Sequence, residues 1–127
     1  MIFDTDVLIW AQRGHPRAAA VIAAATLRQM SAQTYLELLQ GARNKKDLRL
    51  IRKFVAEADF AILPLTENIG HRAIVYMEEY ALASGLQAGD ALIAATAVEH
   101  SAPLVSSDRK PYRTIRELDL HMFRPGA

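Results

Sequence analysis

Four carboxylates, Asp4, Glu37, Asp90 and Asp108, each fall where an apolar run ends or a helix begins. They are spread over the chain, yet a parallel αβ fold would carry them to one edge of one sheet. Like charges gathered in this way repel, and a bound divalent cation is the usual remedy. Oxygen donors in a chain without cysteine point to a hard cation, Mg²⁺ or Mn²⁺, rather than zinc. The histidines His15, His71, His100 and His121 share no paired spacing, so surface or helix-end roles suit them better. A hard cation with open positions for water suits phosphoryl-oxygen chemistry, because it lowers the pKa of bound water and stabilises charge on a phosphate during in-line displacement. Ser106 and Thr5 are hydroxyls beside these acids, placed to orient water or phosphate.

Each acid also has a purely structural reading. Asp90 would cap its own helix, and Asp6 the turn Val7 to Ala11. Thr34 to Glu37 matches a capping box, with Glu37 reaching back to the Thr34 backbone. Asp108 would sit in a surface turn with Ser107. Asp4 resists such an account, since a carboxylate ending a buried central strand needs a partner.

The elements that must position these groups follow from the apolar pattern. Short apolar runs at Met1 to Phe3, Gln29 to Ala32, Ala61 to Leu65, Pro103 to Ser106 and Leu120 to Phe123 read as strands. Helices are predicted between them over Pro16 to Leu27, Gln33 to Arg43, Lys46 to Ala58, Glu67 to Ser84 and Asp90 to His100. On the fourth of these, Ile69, Ala73, Met77 and Tyr80 form the expected inner face and Gly85 the stop. Strands alternating with helices predict a three-layer α/β/α domain with a central parallel sheet of about five strands. Ligands of such sheets bind beyond the carboxyl ends of the strands, where the strand order reverses. If the order is 3-2-1-4-5, Asp4 and Asp108 flank the crevice, with Glu37 and Asp90 on helices facing it.

The chain has 127 residues, 51% hydrophobic and 23% charged. That suits one packed domain over 1–127, burying about two-thirds of its unfolded surface. Asp4 and Asp6 interrupt the first ten residues, which argues against a secretory signal. The alanine-rich stretch is shorter than the roughly 20 residues that span a bilayer. A cytoplasmic, membrane-free protein is the expectation. The formal charge of +1 says little, so nucleic-acid binding must rest on local patches. One runs from Arg43 to Lys53 and includes Lys45 and Arg49; another, Arg109, Lys110, Arg113 and Arg116, follows Asp108 directly. Both would contact phosphates or a protein partner, and phosphate contacts position a nucleic acid without reading its sequence.

At this point four segments resemble the motifs of PIN-domain nucleases: Ile2-Phe3-Asp4-Thr5-Asp6-Val7-Leu8-Ile9, Thr34-Tyr35-Leu36-Glu37-Leu38-Leu39-Gln40-Gly41, Asp90-Ala91-Leu92-Ile93-Ala94-Ala95-Thr96-Ala97 and Leu104-Val105-Ser106-Ser107-Asp108. They occur in family order across the chain. The short form of this family is the VapC-type toxin of bacterial toxin–antitoxin pairs. The resemblance implies a Mg²⁺- or Mn²⁺-dependent endoribonuclease acting on tRNA or another structured RNA and leaving a 5′-phosphate and a 3′-hydroxyl. It also implies a homodimer, inhibited by a small VapB-like antitoxin whose C-terminal segment covers the active site. By position, Asp4, Glu37, Asp90 and Asp108 become the catalytic, metal-binding acids, Ser106 takes a supporting role, and Asp6, with Thr5, assists from behind them. Gly89 before Asp90 departs from the family pattern.

Two alternatives compete. Asp4 and Asp6 also fit the haloacid-dehalogenase pattern, which predicts a phosphatase with Asp4 as nucleophile but leaves Glu37 without a role. A PIN-like scaffold retained only for binding is the other. Tyr76, Met77 and Tyr80 fit either the core or a partner-facing stripe.

Overall fold

The computed structural model describes residues 1–126. Among them are five strands and six α-helices in the order β1 (Ile2–Phe3), α1 (Thr5–Gln12), α2 (Pro16–Ala24), β2 (Gln29–Ser31), α3 (Ala32–Gln40), α4 (Lys45–Glu57), β3 (Ala61–Leu63), α5 (Glu67–Ser84), α6 (Ala88–Glu99), β4 (Leu104–Ser106) and β5 (Leu120–Met122), with a 3-10 turn at Lys110–Tyr112. The strands form one parallel sheet in the order β3-β2-β1-β4-β5, as expected from the sequence.

Alternation along the two central strands divides the core. Ile2 and Leu104 face one side, where they pack with Ile69, Ala73 and Tyr76 of α5, the alanine-rich face of α6, and Tyr112. Phe3 and Val105 face the other, against Val7 and Leu8 of α1, Ile22 of α2, Leu38 of α3 and Ile51 and Val55 of α4. Helices therefore cover both faces, as a parallel sheet requires.

Several element ends differ from expectation for local reasons. α1 starts at Thr5, earlier than the turn read from Val7, because Asp4 itself is its N-cap and accepts the Thr5 N–H. The Thr34–Glu37 capping box does not form. Ser31 caps α3 instead, its side chain accepting the Gln33 N–H, which leaves Glu37 one turn into the helix and free for other partners. α5 spans the expected residues, started by the Thr66 cap and stopped at Gly85, whose φ of 72° suits glycine. Tyr76 is not a surface residue: it is buried, and its hydroxyl donates to Glu117. Burial, with that bond, raises its pKa above the usual phenol value. Arg72 pairs with Glu117 at 2.9 Å and with Glu99 at 3.5 Å, tying the loop after β4 to α5 and α6.

No helix among the described residues is long and apolar enough to cross a membrane.

Candidate active site

The carboxyl ends of β1 and β4 lie side by side, with Phe3 opposite Val105. Asp4 follows β1 directly and is buried, with only 8% of its surface exposed. Its Oδ1 accepts the Thr5 backbone N–H at 2.8 Å, while its Oδ2 accepts the Ser106 and Tyr112 hydroxyls, each at 2.8 Å. These bonds favour the ionised form, yet burial outweighs them, and with the nearby charge of Asp6 pushes the Asp4 pKa up to about 7.

Asp90 stands at the third position of α6, where its Oδ2 accepts the Gln87 backbone N–H at 3.1 Å in a capping box. The structural reading of Asp90 is therefore real, but it occupies only one oxygen. Desolvation raises the Asp90 pKa, and the charges of Glu37, Asp108 and Asp6 push in the same direction. This electrostatic coupling joins acids from four separate regions of the chain. Asp108 accepts the Lys110 N–H on Oδ1 at 3.2 Å, and its own N–H donates to Ser106 Oγ at 3.1 Å.

Glu37 is oriented from two sides. Thr5 Oγ1 donates to its Oε1 at 2.5 Å, and Gln33 Nε2 donates to its Oε2 at 3.3 Å. The Thr34 hydroxyl, fully buried, meets Thr5 Oγ1 at 3.1 Å. Because Thr5 spends its proton on Glu37, Thr34 donates in turn to Thr5. Asp6 lies behind the other acids: one oxygen accepts the Val7 N–H at 2.7 Å, and the other accepts both the backbone N–H and the hydroxyl of Ser107. It therefore clamps the loop that carries Asp108.

Gly89 has a local explanation. A Cβ built there would lie 2.5 Å from Glu37 Oε2 and 3.2 Å from Gln33 Nε2. The missing side chain lets α3 bring Glu37 against the first turn of α6. Gly89→Ala should push Glu37 aside while gaining helix propensity of roughly 0.5–1 kcal/mol. The expected result is an undiminished melting temperature with catalysis at this site slower by about 10–100-fold, since small misplacements near a reacting centre are costly. Turnover rates and thermal melts on the same preparation test this.

Two hollows flank the acids. One of about 300 Å³ is lined by Asp90, Asp108, Lys110 and Gln87. A larger groove of about 550 Å³ reaches Glu37 and runs between α1, α3 and α4 past Arg13, Arg43, Leu50 and Ile51. The basic residues divide accordingly. Lys110 lines the smaller hollow, and Arg109 is exposed beside it. Arg113 is committed elsewhere, donating to the Ala83 carbonyl at 3.1 Å and the Lys110 carbonyl at 3.3 Å. Lys45 and Arg49 are exposed, and helical spacing puts them nearly half a turn away from the Asp47, Leu50 and Ile51 side that faces the groove.

The donor set consists of oxygens only. Among the described residues none of these five acids forms an ion pair with a lysine, arginine or histidine. No three acidic or histidine side chains there stand close enough together to enclose a metal ion between them. Such an arrangement fits a hydrated hard cation better than a dehydrated one, because Mg²⁺ keeps several waters and takes one or two carboxylates. Asp90 Oδ1 and Asp108 Oδ2 are not engaged by hydrogen bonds within the described residues, and Asp4 keeps part of Oδ1.

Tyr112 was not legible as a site residue in the sequence. Its signal is weak there, an aromatic four residues past Asp108, and only the turn Lys110–Tyr112 brings it back beneath Asp4.

A parallel sheet in this order with acids at the β1/β4 switch point defines the class of αβ folds that gather acids at one sheet edge, and comparison with known proteins is specific. The PIN domain family model matches residues 1–117, and the chain belongs to that family. Ribonuclease VapC28 of Mycobacterium tuberculosis is 32% identical over 115 residues, covering 83% of this chain and 86% of that protein. A toxin–antitoxin complex from Klebsiella pneumoniae matches with a TM-score of 0.76 at 28% identity, over 98% of this chain and 96% of its own. VapBC2 of Rickettsia felis, solved bound to a DNA fragment from their promoter, matches with a TM-score of 0.78 at 21% identity, over 97% and 99%, and speaks for the fold alone. Membership of this family removes the phosphatase alternative.

Proposed function

We propose that the protein is a VapC-type endoribonuclease, a hydrolase of RNA phosphodiester bonds that depends on Mg²⁺ or Mn²⁺ and is neutralised by a small VapB-like antitoxin. One observation carries the cation-dependent part: acids from distant segments gather at a single sheet edge, where burial and neighbouring acids raise the pKa of Asp4 and Asp90, and no basic side chain is paired with them among the described residues. Such a cluster is poorly stable without an external positive charge. The kinship with VapC28 supports ribonuclease as the reaction, and the likeness to a toxin–antitoxin complex supports an antitoxin partner. A homodimer and a cytoplasmic location belong to the same reading.

Asp4, Asp90, Asp108 and Glu37 are the residues that would hold the cation, one or two of them directly and the others through its waters. When bound, it supplies a water of lowered pKa and positive charge for the phosphate oxygens. The protein's own part is orientation. Ser106 links the Asp108 backbone to the Asp4 carboxylate, Thr5 fixes Glu37, and Asp6 holds the loop between them. Lys110, on the rim beside Asp90 and Asp108, is placed to draw an RNA phosphate into the smaller hollow. Its pull should weaken as salt rises.

Antitoxin-free protein incubated with total RNA should cleave it in Mg²⁺ or Mn²⁺ and stop in EDTA. A binding-only scaffold would give no cleavage in any metal. Cleavage that survives EDTA, or equal cleavage by wild type and Asp90→Asn, would reject the proposed chemistry.

A further inference from the structure

The carboxylate of Asp4 is more fully engaged than holding a cation demands. A carboxylate offers about four acceptor positions, two on each oxygen. Thr5 N–H takes one on Oδ1, and the Ser106 and Tyr112 hydroxyls take both on Oδ2, all at 2.8 Å. One position, on Oδ1, stays open. Neither hydroxyl is loosely placed. Ser106 Oγ accepts the Asp108 N–H, which leaves its proton for Asp4. Tyr112 is 2% exposed, its ring packed in the core beside α5 and α6 and its N–H bonded to the Arg109 carbonyl at 3.0 Å. A phenylalanine would fill the same apolar space, so the hydroxyl serves Asp4 rather than the packing.

We propose that Tyr112 and Ser106 are positioning residues that confine Asp4 to one-point binding of a divalent cation through Oδ1, and so favour a small, water-retaining ion over a larger one. The inference rests on the cation-dependent reading above and adds the source of ion preference. Mg²⁺ demands near-octahedral geometry and keeps its waters, whereas Ca²⁺ takes six to eight oxygens and readily uses both oxygens of one carboxylate. Asp4 cannot offer both oxygens without breaking a hydroxyl bond and stranding a buried phenol or serine. Ca²⁺ therefore meets a penalty here that Mg²⁺ does not.

The test is Mn²⁺ uptake by metal-free protein, read from loss of the free-ion electron paramagnetic resonance signal, with Mg²⁺ and Ca²⁺ as competitors. Wild type should prefer Mg²⁺. Tyr112→Phe and Ser106→Ala should each move the Mg²⁺/Ca²⁺ preference towards Ca²⁺ by roughly tenfold, a size typical of groups that orient a metal ligand. Circular dichroism should stay unchanged, and if Tyr112→Phe fails to fold, Ser106→Ala alone decides. Uptake by wild type with an unchanged preference in the folded variants overturns the inference and leaves cation binding standing. Equal uptake by wild type and Asp4→Asn removes Asp4 as a ligand, and the inference with it. No uptake by wild type overturns the cation-dependent reading itself.

Discussion

Asp4→Asn should lower RNA cleavage by at least about 10²–10³-fold, the scale seen when a charge-stabilising group is removed, while making the metal-free protein more stable at pH 8. The two effects have one cause. At pH 8 the Asp4 carboxyl, with its pKa near 7, is ionised inside the core beside the charge of Asp6. One pKa unit corresponds to roughly 1.4 kcal/mol, so a shift from 3.8 to about 7 sets a ceiling of about 4 kcal/mol on what that ionisation costs the fold. Asparagine removes the charge and keeps the shape. Its carbonyl oxygen can accept the Thr5 N–H and its amide can donate to Ser106 and Tyr112, but the buried phenol then loses the acceptor for its own proton, which offsets part of the gain. A gain of about 1–2 kcal/mol, or roughly 3–10 °C in melting temperature for a chain of this size, is expected. Thermal melts in EDTA and cleavage assays in Mg²⁺ read the two effects separately. A variant both inactive and less stable would show that Asp4 stabilises the metal-free fold, contrary to this account.

The pH dependence of wild-type stability should carry the same signature. A carboxyl whose folded pKa lies above its unfolded value binds more protons in the folded state. Its contribution is fully present below about pH 4 and is lost as pH rises through about 7. Asp90 shifts in the same direction and adds to the trend. In EDTA the melting temperature should therefore fall between pH 5 and pH 8, and Asp4→Asn should flatten that slope. Saturating Mg²⁺ should restore stability most at the alkaline end, because it binds the ionised acids. Cation binding near pH 6.5 should also release protons, visible as a binding heat that changes with the ionisation enthalpy of the buffer. A metal-free melting temperature that rises from pH 5 to pH 8 would contradict the assignment.

The architecture was largely legible in the chain itself. Short apolar strands alternating with amphipathic helices imply a parallel sheet, and the order 3-2-1-4-5 expected for it is the one the strands adopt. α5 was read with its true ends because both signals are local: the Thr66 hydroxyl accepts the Ile69 N–H, and Gly85 adopts a left-handed turn. The expectation that Asp4, Glu37, Asp90 and Asp108 share one sheet edge rests on where the strands end and the helices begin. Local signals misled where a residue had a stronger distant partner. Glu37 looked like half of a capping box, but Thr5, thirty-two residues away, holds it. For Tyr76 the sequence leaves core and partner-facing readings open, and burial with its hydroxyl bond to Glu117 settles it as core.

What the residues alone determined, then, was the kind of fold and the sheet edge to which the acids belong, because strand termini and helix starts are encoded within a few neighbouring positions. Only the tertiary structure decided how each carboxylate is used. Tyr112 reaches Asp4 across 108 residues, Ser107 reaches Asp6 across 101, and the bare Cα of Gly89 makes room for Glu37. Such pairings depend on the packing of separate helices and loops against one sheet, and no local pattern in the chain carries them.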